Sequence, residues 1–364
     1  MLFAKHGHHV DIFFLSIKRL KASFFHCAAL VAAGVYFLSS SQLLSAQANS
    51  ALAAKWAKSP PDNPPVVALE GGERAPIKQG AIPTIMQLPK EARYLFWGEL
   101  KAGKLHIIEK IGQDLYRIER TIPVSIGKNG AGKQREGDLG TPIGVYQITS
   151  YIPGPKLPDF YGPGAYPINY PNNWDKLQAR TGYGIWLHGL PSGIEARPKL
   201  DSEGCVVLDN NSLREIDPYI SLKKTTVILS EAPPFPEPSH SSDHSQARSS
   251  QSLLDALEQW RVDWESRDTQ AYVSHYNPET FAPRGYDNFA AWSAYKVYLN
   301  ETKTFISVTL DSLSAIQYPG EDGLVRVHYH QNYRSSNFNW SGWKEMFWRQ
   351  NADGAWQIIH EGSG

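Results

Sequence analysis

Within residues 187–208, LHGLPSGIEARPKLDSEGCVVL, stand one histidine, His188, and one cysteine, Cys205. A thiol at neutral pH is only partly ionised, and a histidine within hydrogen-bond reach takes its proton and raises the thiolate fraction. The neighbours are suited to such a nucleophile. GIWLHG reads as a short apolar strand ending at His188, with Gly189 after it. DSEGCVVL reads as a polar turn entering a second strand, with Cys205 at its start. Gly204 lacks a side chain, so the backbone there can approach a substrate carbonyl, and the N–H groups of Gly204 and Cys205 can face an oxyanion. Ser202 can hold the turn through a side-chain-to-backbone bond. The residues alone leave a second reading open: Cys205 as a small buried hydrophobe, the common fate of free cysteine.

The cysteine count bears on that choice. The chain has two cysteines in 364 residues. Cys27 lies in FFHCAALVAAGVYFL, an apolar run preceded by Lys18, Arg19 and Lys21 and followed by Ser39–Ser41 and then Ala46-Gln47-Ala48. This is the pattern of an export signal cleaved after Ala48, with an uncleaved single-span anchor as the alternative. Either way the bulk of the chain is expected in the periplasm. Cleavage leaves Cys205 as the one cysteine, in a compartment where disulfides are common. A leftover thiol there is either inert and buried or reactive. Hydrophobic residues at 41% and charged residues at 20% fit a soluble globular protein. Lys plus Arg equals Asp plus Glu, 36 each, which argues against a nucleic-acid partner.

Composition divides the rest of the chain. Residues 49–91, rich in Ala, Pro and Gly, read as a tether, with a short helix at Pro89–Arg93. Residues 92–231 read as a β-rich domain: RYLFWGEL, KLHIIEKI, LYRIERTIPVS, IGVYQITSYI and TTVILS are β-prone runs between turn residues, and one helix is expected near Asn210–Tyr219. Residues 232–251 have linker composition, and His240 and His244 within it read as solvated. Residues 252–364 change character. Leu253, Leu257, Trp260 and Trp264 recur at helical spacing, Ala271–Tyr276 and Phe289–Leu299 suggest two further helices, and long strands follow. In one strand Val325, Val327 and Tyr329 alternate with Arg326, His328 and His330, which predicts an inward apolar face and an outward polar one. His328 and His330 share that outward face. With no third ligand in view, they read as solvated or hydrogen-bonded rather than as a metal site.

His188-Gly189 followed by Ser202-Glu203-Gly204-Cys205 resembles the signature of the L,D-transpeptidase (YkuD-type) family: His, a short loop, then Ser/Thr-His-Gly-Cys. GDLGTPIGVYQI, Gly137–Ile148, resembles the family's Gly-Asp-x-x-Thr-Pro-x-Gly stretch, and INYPNNWD, Ile168–Asp175, resembles the approach to the histidine in one branch. The three motifs occur in the family's order over roughly residues 92–230 and favour the reactive reading of Cys205. The C-terminal segment, through its Trp260/Trp264 helix and terminal WQIIHEG, resembles the nuclear-transport-factor-like (SnoaL-type) cone. The same pairing of domains occurs in cell-shape L,D-carboxypeptidases. The implied fold is a β-sandwich-like L,D-transpeptidase domain with short helices, plus a C-terminal α+β cone-shaped domain. Trp340, Trp343, Trp348 and Tyr329 are the aromatic residues such a cone could place in a pocket, although most such residues are core.

The resemblance implies a cysteine acyltransferase acting on peptidoglycan stem peptides, with Cys205 as nucleophile, His188 as base and then acid, and the Gly189 carbonyl orienting the histidine. Gly204 and Ser202 belong to the oxyanion turn, and Glu203 and Trp186 are the expected substrate contacts; Glu203 either meets an acceptor amine or is simply exposed. No cofactor and no metal are implied. An amine acceptor gives a crosslink or a protein attachment, water gives trimming of tetrapeptides to tripeptides, and a non-catalytic wall-binding scaffold is the remaining alternative. A wall-attached protein or scaffold is the partner class expected for the C-terminal domain. Two departures stand out: Glu203 replaces the family's histidine before Gly-Cys, and Val207 replaces an arginine that helps hold substrate in related enzymes. Arg180 and Arg197 are the residues that could substitute, and both are expected on solvated loops.

Overall fold

The computed structural model describes residues 79–235 and 243–364. The expected export signal, with Cys27, Ala46 and Ala48, lies outside the described residues, as do most of the expected tether and His240. The described end of that tether is structured. Gln79–Gly80 (β1) and Ile85–Gln87 (β2) are strands, and Ile82, Ile85, Met86 and Leu88 are buried. Strands this short carry no period of their own; they form because distant sheet edges offer unpaired backbone groups. Residues 89–93 form a turn instead of the expected helix, closed by the Ala92 N–H on the Pro89 carbonyl at 3.1 Å. One turn is too short to offset helix nucleation.

The strands that follow are β3 (Tyr94–Glu99), β4 (Lys104–Gly112), β5 (Leu115–Pro123), β6 (Ile126–Gly127), β7 (Gly144–Gln147), β8 (Ile152–Pro153), β9 (Gly164–Pro167), β10 (Trp186–His188), β11 (Leu200–Ser202), β12 (Val206–Val207) and β13 (Thr226–Ser230). Between them lie α1 (Asn173–Leu177) and α2 (Asn210–Glu215). The main sheet runs β1-β5-β4-β3-β13-β7, and a smaller one runs β12-β10-β9-β8. The two enclose one core, in which Phe96, Ile107, Tyr146, Val227 and Leu229 of the main sheet meet Tyr166, Leu187 and Val206 of the smaller one.

The C-terminal part opens with α3 (Asp243–Ser266), which begins inside the segment whose composition suggests a linker. Then come α4 (Thr269–Ser274) and α5 (Phe289–Glu301), followed by β14 (Ile306–Gln317), β15 (Leu324–Ser335), β16 (Asn339–Gln350) and β17 (Trp356–Ser363). These strands form an antiparallel sheet ordered β17-β16-β15-β14-β2, so the N-terminal segment adds its second strand to the C-terminal domain after pairing its first with β5. The helices cover one face of this sheet through Leu253, Leu257, Trp260, Tyr272 and Trp292. The architecture is the expected β-rich domain followed by an α+β domain.

The face of β15 expected to be outward is buried at Arg326 and His328 and only half-buried at His330. Arg326 and His328 are 2% and 5% exposed. The main sheet covers them: its second face, with Leu95, Trp97, Ile108, Val145 and Ile228, shares a core with Ile316, Leu324 and Phe347 of the C-terminal sheet. β13 is therefore buried at all five residues, which explains its unbroken apolar run. Helix α1 locks the same contact. Asn172 caps it through a reciprocal pair of bonds with Asp175 and donates to the Tyr318 hydroxyl at 2.8 Å. Trp174 packs on Phe347 and donates to Glu321, and Asn173 donates to Glu345 at 2.6 Å. Glu345 also pairs with Arg326, both side chains being 2% exposed.

A buried ion pair that loses one partner leaves an uncompensated charge, at a cost of about 3–5 kcal/mol. Arg326→Met is therefore expected to lower the urea midpoint strongly, and Arg326→Met with Glu345→Met to regain most of the loss. A double variant no more stable than the single one would show that the pair is not the source of the effect.

Candidate active site

Parallel pairing of β10 with β12 sets Leu187 beside Val206 and His188 beside Val207. Side chains alternate along a strand, so fully buried Leu187 and Val206 point into the sandwich core, and Trp186 and His188 take the other face. Cys205, one residue before β12, continues that face beside Trp186. Thus the paired strands bring His188, Trp186 and Cys205 together from positions 17 and 19 apart in sequence.

Each member is held locally. His188 is 1% exposed, and its ring lies against Tyr161 and Phe160, with centroids at 5.0 and 5.9 Å. Its Nδ1 is 2.7 Å from the Gly189 carbonyl oxygen. A carbonyl only accepts, so Nδ1 carries the hydrogen and Nε2 keeps the free lone pair. Gly189 has no room for a side chain: a Cβ there would meet Asn210 Oδ1 at 2.3 Å and Pro163 at 2.6 Å. Trp186 is half-buried and rests on Tyr161 at 4.9 Å.

The turn before Cys205 is fixed from two sides. Ser202 Oγ accepts from the Gly204 N–H at 3.1 Å and donates to the Cys205 carbonyl at 2.6 Å. The Gly204 N–H is therefore engaged within the turn, where the sequence reading turned it toward an oxyanion. Buried Thr141 donates to the Gly204 carbonyl at 3.0 Å and accepts from the Gly127 N–H at 2.9 Å. Gly204 has φ +125°, and a Cβ would meet the Gly140 carbonyl at 2.7 Å, so glycine is required twice over. Asp138 shapes the loop bearing Gly140: its carboxylate accepts from the N–H groups of Gln134, Arg135 and Gly140 and from Lys133. Burial opposes its ionisation, but these four donors hold its pKa well below the usual carboxylate range. The quoted Gly-Asp and Thr-Pro residues thus act on the cysteine turn, a role no spacing argument had given Thr141.

Cys205 is the free cysteine among the described residues, half-buried, and its thiol donates to the Gly184 carbonyl at 3.3 Å. No hydrogen bond joins it to His188 among the described residues. Burial pushes the thiol up to about 11, opposed by the Trp186 N–H and by Arg197. Burial likewise holds the His188 imidazole down, to about 3. Both groups are neutral at pH 7. Glu203 is exposed, as one of its two readings had it.

Neither expected substitute arginine is solvated. Arg180 is locked on Asp175 at 3.1 Å and on Glu321, in the contact between domains. Arg197 is 7% exposed, bound to Asp201 through Nε at 3.0 Å and to the Asp201 carbonyl at 2.7 Å. Its positive charge acts on both Cys205 and His188. Val207, where the resembled family has arginine, is 2% exposed and bridged on both sides to Ser125. Tyr183, 77% exposed between Gly182 and Gly184, both with positive φ, stands beside the carbonyl that holds the thiol. Its Gly-Tyr-Gly setting was the one sequence signal for it.

Residues 107–229 match the model of the L,D-transpeptidase catalytic domain (YkuD). The chain carries an L,D-transpeptidase catalytic domain. Residues 252–362 match the C-terminal NTF2-like domain of Cds6. Among solved structures, Bd1075 of Bdellovibrio bacteriovorus is similar at 27% identity and TM-score 0.63, over 78% of this chain and 98% of that one. The helical cell shape determining protein Pgp2 of Campylobacter jejuni, in a point-mutant form, is similar at 24% identity and TM-score 0.62, over 78% and 94%. The likeness to Pgp2 is one of fold. No curated protein matches the chain.

In the NTF2-like domain the four expected pocket aromatics separate. Tyr329 and Trp348 are wholly buried core, while Trp340 and Trp343 are each 37% exposed. The helix-covered side of its sheet holds a polar cluster: Glu361 accepts from Lys344 at 2.6 Å and from Tyr276 at 2.8 Å, and Lys296 stands over Trp292 at 5.3 Å. Fold alone gives that cluster no task.

The thiolate is the alkylated species, so a thiol raised to about 11 predicts a specific pH profile. Iodoacetamide labelling of the L,D-transpeptidase domain at Cys205 is expected to rise about tenfold per pH unit from pH 7 to 10, with no plateau near neutrality. A plateau below pH 8 would reveal a preformed thiolate–imidazolium pair. Arg197→Gln removes a charge that lowers the thiol pKa, and so is expected to slow labelling at pH 8.

Proposed function

We propose that the chain is a periplasmic, peptidoglycan-modifying cysteine acyltransferase that forms a thioester with stem peptides through Cys205. The observation that carries this reading is the placement of Cys205 and His188 on one face of paired strands, with Nε2 as the free nitrogen of the imidazole. Peptidoglycan as substrate rests on the L,D-transpeptidase domain, and a role in cell shape is supported by the likeness to a helical cell shape determining protein.

Cys205 Sγ attacks the carbonyl of an L-centred diamino acid joined to a terminal D-residue. Its proton passes to His188 Nε2 as the S–C bond forms. Resting-state separation of the two groups is no obstacle, because such bonds commonly tighten only when substrate is bound. The imidazolium is stabilised by the Gly189 carbonyl at Nδ1. Because the Gly204 N–H is engaged by Ser202, we assign the Cys205 N–H to the developing oxyanion. Collapse breaks the C–N bond, and His188 returns its proton to the departing amine. Arg197 is a positioning residue that holds the strand leading into the turn and favours negative charge on sulfur. Trp186 and Glu203, on the open side, are the substrate contacts we assign.

The thioester then meets an acceptor. An amine of a second stem yields a crosslink, the first reading. Water yields a tripeptide, and Val207 favours this second reading, since a buried aliphatic stands where related crosslinking enzymes hold substrate with arginine. In both, the acceptor passes its proton to His188 and the thiol is restored.

Purified protein incubated with tetrapeptide muropeptides separates the outcomes: dimers indicate transfer, tripeptides alone indicate trimming. Cys205→Ala is expected to abolish release of the terminal D-residue, and His188→Ala to slow it about 10²–10⁴-fold. Release by Cys205→Ala at the wild-type rate would eliminate the covalent route, whereas no release by the wild-type protein would leave the wall-binding scaffold.

A further inference from the structure

The contact between the two domains is not closed along its whole length. A cleft of about 290 Å³ opens between the segment leading into β3, the loop before β13, and the sheet face of the NTF2-like domain. It shares no lining residue with the Cys205 and His188 cluster. Its size is near the lower end of ligand pockets, enough for one ring and a substituent.

Three features of its wall point to one chemistry. Trp343 lies flat on His328, with ring centroids 4.8 Å apart and planes at 4°, yet 37% of the residue stays exposed. Gln147 of the other domain reaches His328 Nδ1 at 3.5 Å, so the platform is braced from behind. Across the cleft, Tyr94 and Tyr219 pack edge to face at 4.9 Å, and the Arg93 guanidinium sits 5.0 Å over the Tyr94 ring. Lys223 and Lys224 line the same wall on the tight loop before β13 and are exposed. Neither ammonium has a hydrogen-bond or ion-pair partner among the described residues. The one carboxylate in the described lining, Glu91, accepts from Ser312 and feels the Lys224 charge without a direct ion pair. The cleft therefore presents an indole plane and two ammonium groups with no hydrogen-bond or ion-pair partner among the described residues. An indole plane suits the C–H face of a sugar ring, and the ammonium groups suit a carboxylate.

We propose that this interdomain cleft binds a carboxylate-bearing amino sugar, with the ring on Trp343 and the carboxylate on Lys223 and Lys224. A wall strand whose muramic acid has been freed of its stem peptide is the natural source of such a group, and that identification alone rests on the function proposed above. The cleft would then seat a peptide-free sugar of the wall at a site distinct from the one that processes stem peptides.

Titration calorimetry on the full exported chain tests this with three probes: N-acetylmuramic acid, N-acetylglucosamine, which lacks the carboxylate, and muramyl dipeptide, which carries it on the peptide. The acid is expected to bind at least about tenfold more tightly than the neutral sugar. Lys223→Gln with Lys224→Gln, both at exposed positions, is expected to erase that preference, and Trp343→Ala to weaken both sugars. Equal affinity for the two sugars, or a double-glutamine variant that still prefers the acid, overturns the proposal, including in the case where Trp343→Ala fails to fold. Tighter binding of the free sugar acid than of muramyl dipeptide supports a carboxylate on the sugar; equal or tighter binding of muramyl dipeptide moves that carboxylate to the peptide and overturns the placement. Turnover of free tetrapeptide in the same preparation keeps the readings apart. Turnover without sugar binding overturns the cleft, and sugar binding without turnover overturns the reaction while supporting the cleft.

Discussion

The hydroxyl of Thr141 joins two parts of the chain that are 63 residues apart, and the geometry around the thiol depends on it. It donates to the Gly204 carbonyl and accepts from the Gly127 N–H, in a place where no water reaches it. A buried carbonyl without a partner costs on the order of 1–3 kcal/mol, so this contact fixes the turn as well as filling space. The close passage of Gly204 against the Gly140 carbonyl follows from it, and so does the requirement for glycine at position 204. Asp138, with four donors on its carboxylate, holds the loop that makes the approach possible. The cysteine turn is thus rigid because a second loop, itself rigid, is pressed against it.

Rigidity and desolvation act together on the chemistry. The imidazole is sealed between aromatic rings, and the thiol sits among backbone groups, so each resists charge in the resting state. A neutral thiol is slow to react with stray electrophiles. In the reaction we propose, proton transfer becomes favourable when a substrate brings the reacting groups together and a carbonyl is present to take the negative charge. The Arg197 guanidinium acts on the two groups in opposite senses: it favours the thiolate and disfavours the imidazolium.

The main sheet of the catalytic side is covered on both faces, once by its own small sheet and once by the NTF2-like domain. That second face explains why the two domains form a common core rather than hanging on a flexible joint. It also explains charges in an unexpected place. Arg326 and Glu345 compensate each other inside the contact, and helix α1, drawn from the stretch that precedes the histidine, supplies Asn173 and Trp174 to it. The motif leading to the candidate active site is therefore also the domain latch.

Much was written in the chain. Strand runs such as KLHIIEKI and LVRVHYHQNYRS announced themselves through composition and period, because local propensity and the final sheet agree. His188, Gly189, Ser202, Gly204 and Cys205 stand out in the sequence as candidates because glycine and serine beside a cysteine, with a histidine upstream, form a recognisable pattern. Other features were set by packing between distant segments. The strands at residues 79–87 are too short to show a period and exist only as additions to sheet edges. The polar face of β15 reads as outward by alternation, yet a second sheet covers it at Arg326 and His328. Arg197 looks like a loop arginine until Asp201 and the thiol are seen around it. Sequence determines which side chains alternate and which turns are possible; only the tertiary structure decides what lies opposite each face, because burial and charge depend on neighbours that spacing along the chain does not reveal.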